Sequence, residues 1–126
     1  MDHLILVVDD HLPNLRLAEA ALETAGYRVL KVESAEAAMS VLNGILPDAI
    51  LVDIAMPGMN GLDFTRWLKK REKLAHIPVV AVTAYSMPAD EANAMAAGCV
   101  GYLTKPYEIR ELLRLVRQSV PAQSVA

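Results

Sequence analysis

The chain is poor in cysteine and has no surplus of positive charge. Cys99 is its only cysteine among 126 residues. That excludes a disulfide framework and a cysteine-based metal centre, and makes a reduced cytoplasm the expected setting. Its neighbours Ala97, Gly98 and Val100 mark Cys99 as a buried, inert thiol. Twelve Lys and Arg stand against fifteen Asp and Glu, a net charge of -3. An electrostatic grip on nucleic acid, which needs a clustered basic face, is therefore not expected. No apolar run approaches the length of a membrane span. The start MDHLILVVDD lacks the basic region and cleavage site of a secretion signal. Repeats, low-complexity stretches and internal linkers are missing too. What is present, 54% hydrophobic and 21% charged residues, suits one globular domain with a real core. We place that domain at residues 1–120. Residues 121–126 (PAQSVA) read as a frayed tail, either a terminus or the stub of a linker.

Short β-rich runs alternate with helical patterns along the whole length. Leu4–Val8 is a continuous apolar run, as a strand covered on both faces requires. Pro13 stands near a helix start, and Leu15, Ala18, Leu22 and Ala25 follow at helical spacing before Gly26. Tyr27–Val32 reads as a second strand. Ser34 is a candidate N-cap with Glu36 in the first turn, and Gly44 is expected to close that helix. The third strand is predicted over Ala49–Val52, with a helix through Phe64, Trp67 and Leu68 after it. Val79–Val82 and Val100–Leu103 complete the strands. An alanine-rich helix is expected from about Ala89 to Ala97, and a last helix through Ile109, Leu112, Leu113 and Val116. Such alternation means a doubly wound α/β fold, a parallel sheet with helices on both faces and right-handed crossovers.

In an open parallel sheet, ligands bind beyond the carboxyl ends of the strands. The first predicted strand ends in Asp9 and Asp10, the third in Asp53, the fourth in Thr83, and the fifth leads into Lys105. Glu33, after the second strand, belongs at the sheet edge, away from the others. Each of these residues alone has an ordinary structural explanation: an Asx turn at Asp9–Asp10, a helix cap at Asp53, a strand-end hydroxyl at Thr83, a solvated charge at Lys105. Together, at successive strand ends of one sheet, coincidence is the poorer account. Three converging carboxylates repel and raise one another's proton affinity. A hard divalent cation relieves that repulsion, and oxygen-only ligands suit Mg²⁺. With Lys105 and Thr83 available to phosphoryl oxygens, these are the parts of a phosphoryl-transfer site in which an Asp is the nucleophile.

The stretches ILVVDD, PDAILVDIAMPGMNGLD, IPVVAVTA and AGCVGYLTKP, in this order and spacing from about Leu4 to Gln118, resemble the receiver domain of two-component response regulators. The resemblance implies a flavodoxin-like five-stranded sheet of order 2-1-3-4-5 and a phosphorylation-dependent signalling switch, not a turnover enzyme. By it, Asp53 is the phosphoacceptor, served by a phosphohistidine on a histidine kinase or phosphotransfer protein. Asp10, Asp53 and the backbone carbonyl of Ala55 become ligands of Mg²⁺, with Mn²⁺ as a substitute, and Asp9 acts through a water. Lys105 and Thr83 are the phosphate-contacting pair, and Tyr102 is the rotating aromatic partner of Thr83. The Lys105–Pro106 peptide is expected to be cis. The output surface is the one built from the fourth helix, fifth strand and fifth helix, on a monomer or a phosphorylation-promoted dimer.

Ala55 and Tyr85, two residues after Asp53 and Thr83, flank the expected phosphoryl site. An aromatic at 85 is expected to hinder an in-line water. His3, His11 and His76 read as surface residues. A haloacid-dehalogenase-type phosphatase needs a second acid two residues after its nucleophile, where this chain has Ala55. A flavodoxin-like electron carrier needs a hydroxyl-rich phosphate loop where this chain has Asp9 and Asp10. A constitutive scaffold, an intermediate carrier in a phosphate relay, and the receiver fragment of a larger regulator or hybrid kinase are the other readings.

Overall fold

The computed structural model describes residues 3–84 and 87–120. Its elements are β1 (Leu4–Val8), α1 (Leu12–Thr24), β2 (Arg28–Val32), α2 (Ala35–Val41), β3 (Ala49–Asp53), α3 (Gly61–Lys69), β4 (Val79–Thr83), α4 (Pro88–Ala97), β5 (Gly101–Thr104) and α5 (Ile109–Ser119). The strands form one parallel sheet in the order β2-β1-β3-β4-β5, the flavodoxin-like architecture. β3 and β4 are buried at every residue, which is why their sequences do not alternate. Edge strand β2 is partly exposed throughout.

Alternate strand residues divide the core between the two faces. On one side Leu6, Val8, Ile50, Val52, Val79 and Ala81 meet Ala38, Phe64, Leu68 and Ala94 of α2, α3 and α4. On the other, Ile5, Val7, Leu51, Val80 and Val82 meet Leu15, Ala18, Leu22, Leu112 and Val116 of α1 and α5. Among the described residues no helix is long and apolar enough to cross a membrane.

Several boundaries differ from the sequence expectation by a residue or two. β2 starts at Arg28, because the Tyr27 N–H still donates to the Leu22 carbonyl at 3.0 Å and finishes the end of α1. β3 and β4 each run one residue further, taking in Asp53 and Thr83. β5 is shifted to Gly101–Thr104. α2 ends at Val41 with Leu42 as its C-cap, so Gly44 sits in the turn beyond and does not close the helix. Ser34 does cap α2, its hydroxyl accepting from the Ala37 N–H at 3.0 Å.

α3 and α4 are tied together by Lys69. Its half-buried stem runs past Gly98, where a Cβ would lie 2.8 Å from Lys69 Cγ. Its ammonium donates to the carbonyls of Ala75 (3.0 Å) and Ile77 (2.7 Å). Gly98 is needed twice over, since it also ends α4 with φ of 114°. Beside it the buried Cys99 thiol faces the Thr65 hydroxyl at 3.9 Å, and burial raises that thiol above its ordinary value.

Candidate functional site

Four strand ends converge on one rim. Asp9 follows β1, Asp53 closes β3, Thr83 closes β4, and Lys105 follows β5. Parallel pairing sets them level, with Asp53 opposite Val82 and Thr83 opposite Thr104.

Asp9 and Asp53, only 6% and 7% exposed, are held by matching devices. One oxygen of each accepts a backbone N–H two residues on, from His11 to Asp9 Oδ1 at 2.9 Å and from Ala55 to Asp53 Oδ1 at 3.2 Å. These are Asx turns. The other oxygen of each accepts from the same ammonium, Lys105 Nζ, at 3.2 Å. One lysine thus bridges two buried acids. Asp10 is exposed, yet one oxygen from each of Asp9, Asp10 and Asp53 lies within 4.8 Å of the others. One cation among three acids leaves net negative charge at the rim.

The electrostatics follow from burial and partners. Burial raises the Asp53 carboxyl above its ordinary value, Lys105 pulls it down, and Asp9 pushes it further up. Burial alone would lower the Lys105 ammonium, but Asp53 and Asp9 outweigh it and hold it above its ordinary value. The triad therefore keeps its lysine charged while the nucleophile candidate stays more proton-hungry than a free Asp.

The loop after Asp53 is shaped by two glycines of different kinds. Gly58 turns with φ of 75°. Gly61, the first residue of α3, is required by proximity, since a Cβ there would lie 2.5 Å from the Asp53 carbonyl oxygen. Its N–H donates to the Ile54 carbonyl at 2.9 Å, and the Asn60 side chain caps α3 by accepting from the Asp63 N–H at 2.9 Å.

Thr83 is fully buried at the rim. Tyr102 is half-buried on the neighbouring strand, opposite Ala81, on the side of the sheet that carries α2, α3 and α4. Burial raises its phenol, helped by Asp90 and Glu91 in the first turn of α4. The Lys105–Pro106 peptide is cis. Ala55 is exposed beside Asp53, whereas Tyr85 lies outside the described residues. Two contributors went unnoticed in the sequence. Asn14 and Tyr107 line, with Lys105, Pro106, Leu17 and Ala84, an open groove of about 380 Å³ leading to the ammonium. Asn14 lies in the first turn of α1, only four residues after Asp10, and that nearness to the acidic pair was available as a signal. Tyr107 had no such mark.

A doubly wound parallel sheet of order 2-1-3-4-5, with acids and a lysine gathered at its carboxyl ends, defines a flavodoxin-like α/β protein. The model of the response regulator receiver domain matches residues 5–117. The chain belongs to that family, the receiver domains of two-component signalling systems. It is 35% identical over 113 residues to the polar-differentiation response regulator DivK of Brucella ovis, covering 90% of this chain and 92% of that one. Among solved structures it is similar to the receiver domain of a sensor histidine kinase from Pseudomonas aeruginosa PAO1, which has a magnesium ion coordinated in its active-site cleft (33% identity, TM-score 0.86, 94% of this chain and 98% of that one). It is also similar to the receiver domain of a histidine kinase from Syntrophus aciditrophicus (30% identity, TM-score 0.88, 98% and 97%).

Proposed function

We propose that Asp53 is the phosphoacceptor of this receiver domain and takes its phosphoryl group from a phosphohistidine on a histidine kinase or phosphotransfer protein in the cytoplasm. The observation that carries the reading is the single ammonium of Lys105, 3.2 Å from both Asp9 and Asp53. An Asp53 carboxylate oxygen attacks phosphorus, the N–P bond breaks, and the imidazole leaves with the electron pair and takes up a proton. The product is an acyl phosphate on Asp53. Lys105 can then exchange its contact with Asp53 for one with a phosphoryl oxygen while keeping Asp9, and the Thr83 hydroxyl serves a second oxygen.

Three oxygen donors within 4.8 Å, with one lysine to balance them, fit a hard divalent cation. Asp10, Asp53 and the Ala55 carbonyl would hold Mg²⁺, or Mn²⁺ in its place, with Asp9 acting through a water. The ion would supply positive charge where the phosphoryl oxygens gather.

The output follows from the neighbourhood of Thr83. Movement of Thr83 toward the phosphoryl group vacates space for Tyr102 to turn inward, and that shifts α4. This helix buries only Ala94 and Ala97, so few large anchors resist. The surface of α4, β5 and α5 then changes its affinity for a downstream protein, with phosphorylation promoting a dimer if one forms. The chain catalyses its own phosphorylation and dephosphorylation and is a switch, not a turnover enzyme. Ala55 and Tyr85, two residues after Asp53 and Thr83 in sequence, set the lifetime of the acyl phosphate, so Tyr85→Glu hydrolyses faster than the natural protein.

The test is incubation with Mg²⁺ and acetyl phosphate, read by intact mass. A gain of one phosphoryl group that disappears in Asp53→Asn supports the assignment. Labelling that survives this substitution overturns it. The similarity to receiver domains of histidine kinases favours a relay carrier as the second reading. It is distinguished by return of the phosphoryl group from Asp53 to the histidine of a phosphotransfer protein.

A further inference from the structure

At the amino ends of β3 and β4, the pole of the sheet opposite Asp53, the connection after α2 and the segment after α3 enclose a groove of about 600 Å³. Leu42 and Leu74, both buried, face it, and Leu46 stands at its edge 57% exposed. Arg71 and Lys73 form the rim, with Glu72 as the acid among the lining residues.

The charge here runs against the rest of the chain. Residues 66–73 (RWLKKREK) carry five cations and one acid, while the whole chain is net -3. Two of these cations are already used. Arg66 pairs with Asp63 at 2.9 Å, and Lys69 serves the carbonyls of Ala75 and Ile77. Lys70, Arg71 and Lys73 enter no ion pair among the described residues. Arg71 is also held in place, its guanidinium stacked 4.0 Å from the Trp67 ring centroid. Much of the cost of ordering it for a ligand is therefore already met.

We propose that this groove docks an acidic amphipathic segment of a partner protein. Its apolar side chains lie against Leu42, Leu46 and Leu74, and its carboxylates reach Arg71 and Lys73. A nucleic acid would find only three unpaired cations on an acidic chain and no use for the leucines. A membrane surface would gain little apolar area from Leu46 and its exposed neighbour Ile45. Because the groove lies at the far pole from Asp53, docking proceeds with or without phosphorylation and is independent of the assignment of that residue.

The test is selection of a displayed library of random 16-residue peptides against the immobilised full chain, followed by amide chemical-shift mapping of the enriched peptides. Acidic peptides with large apolar residues at helical spacing are expected, with shifts at residues 42–46 and 71–74 and a change in emission of Trp67, the sole tryptophan. The double variant Arg71→Glu/Lys73→Glu should weaken them at least about tenfold and turn the selection toward basic peptides, with Mg²⁺-dependent labelling by acetyl phosphate unchanged. Enrichment without acidic bias, shifts confined to α4, β5 and α5, or binding that survives charge reversal overturns the proposal. So does tighter binding of a 20-base-pair DNA duplex or of phosphatidylglycerol vesicles, or self-association through these residues in sedimentation.

Discussion

Lys69 and Lys105 are both half-buried, at opposite ends of the molecule, and they have been pushed in opposite directions. At the carboxyl-end rim, Lys105 faces the carboxylates of Asp9 and Asp53, and its ammonium is held above the ordinary value. Under α3 and α4, Lys69 faces two carbonyl dipoles; burial lowers its ammonium, with a nearby thiol the opposing influence. Full opposite charges offset desolvation where dipoles do not. Depth does not decide here whether a lysine's ammonium is raised or lowered. The partner does.

The difference can be broken most severely at the rim. Lys105→Ala should slow labelling of Asp53 by acetyl phosphate about 100-fold, the usual cost of losing one preorganised donor to developing charge. Retained helicity in circular dichroism would show that the fold survives. A rate within about fivefold of the natural protein would reduce Lys105 to the status of Lys69. Gly98→Ala attacks the other lysine through its seat. A Cβ at 2.8 Å from Lys69 Cγ and a φ of 114° together should cost about 2 kcal/mol in urea unfolding, while the labelling rate stays unchanged.

Lys69→Met keeps the stem and removes the charge. Relief of desolvation offsets the two lost hydrogen bonds, so stability should move by less than about 1 kcal/mol in either direction. A loss several times larger would mean that the carbonyl cradle matters more than the stem. The smallest effect is a pH dependence, read as the stability of the natural protein minus that of Lys69→Met. Its folded value is depressed below the unfolded 10.5, so between the two the unfolded chain binds more protons. The difference should rise with pH across that window, be fully developed above 10.5, and be lost as pH falls through the folded value. The comparison is made with Cys99→Ala in both proteins, because the thiol and Lys69 shift one another and the Cys99 titration would not cancel. A flat or falling difference would contradict the environment assigned to Lys69.

The same contrast explains what could be read from the sequence. The rim was legible because continuous apolar runs end abruptly in Asp9, Asp53 and Thr83, and burial on both faces leaves little freedom in where such strands stop. The helices announced themselves at Ser34 and at the glycine after Ala97. Lys69 was illegible, because within KKREK five adjacent polar side chains look alike, and only packing decides which of them turns inward. The division of labour between Asp9 and Asp10 was equally hidden. Neighbours in sequence, one is buried on Lys105 and the other exposed, since successive side chains leaving a strand point to opposite sides. Gly61 could be seen as a loop residue, but its closeness to the Asp53 carbonyl depends on how α3 folds back.

That closeness has a consequence for anyone wishing to move the site elsewhere. A designer grafting Asp9, Asp53, Thr83 and Lys105 onto another parallel sheet would be copying every polar group and still omit a part, because the part is a missing methyl. The host helix must begin against the carbonyl of the residue that takes the place of Asp53, and every residue but glycine would prise the two apart. The template for such a transplant is a backbone path as much as a set of side chains.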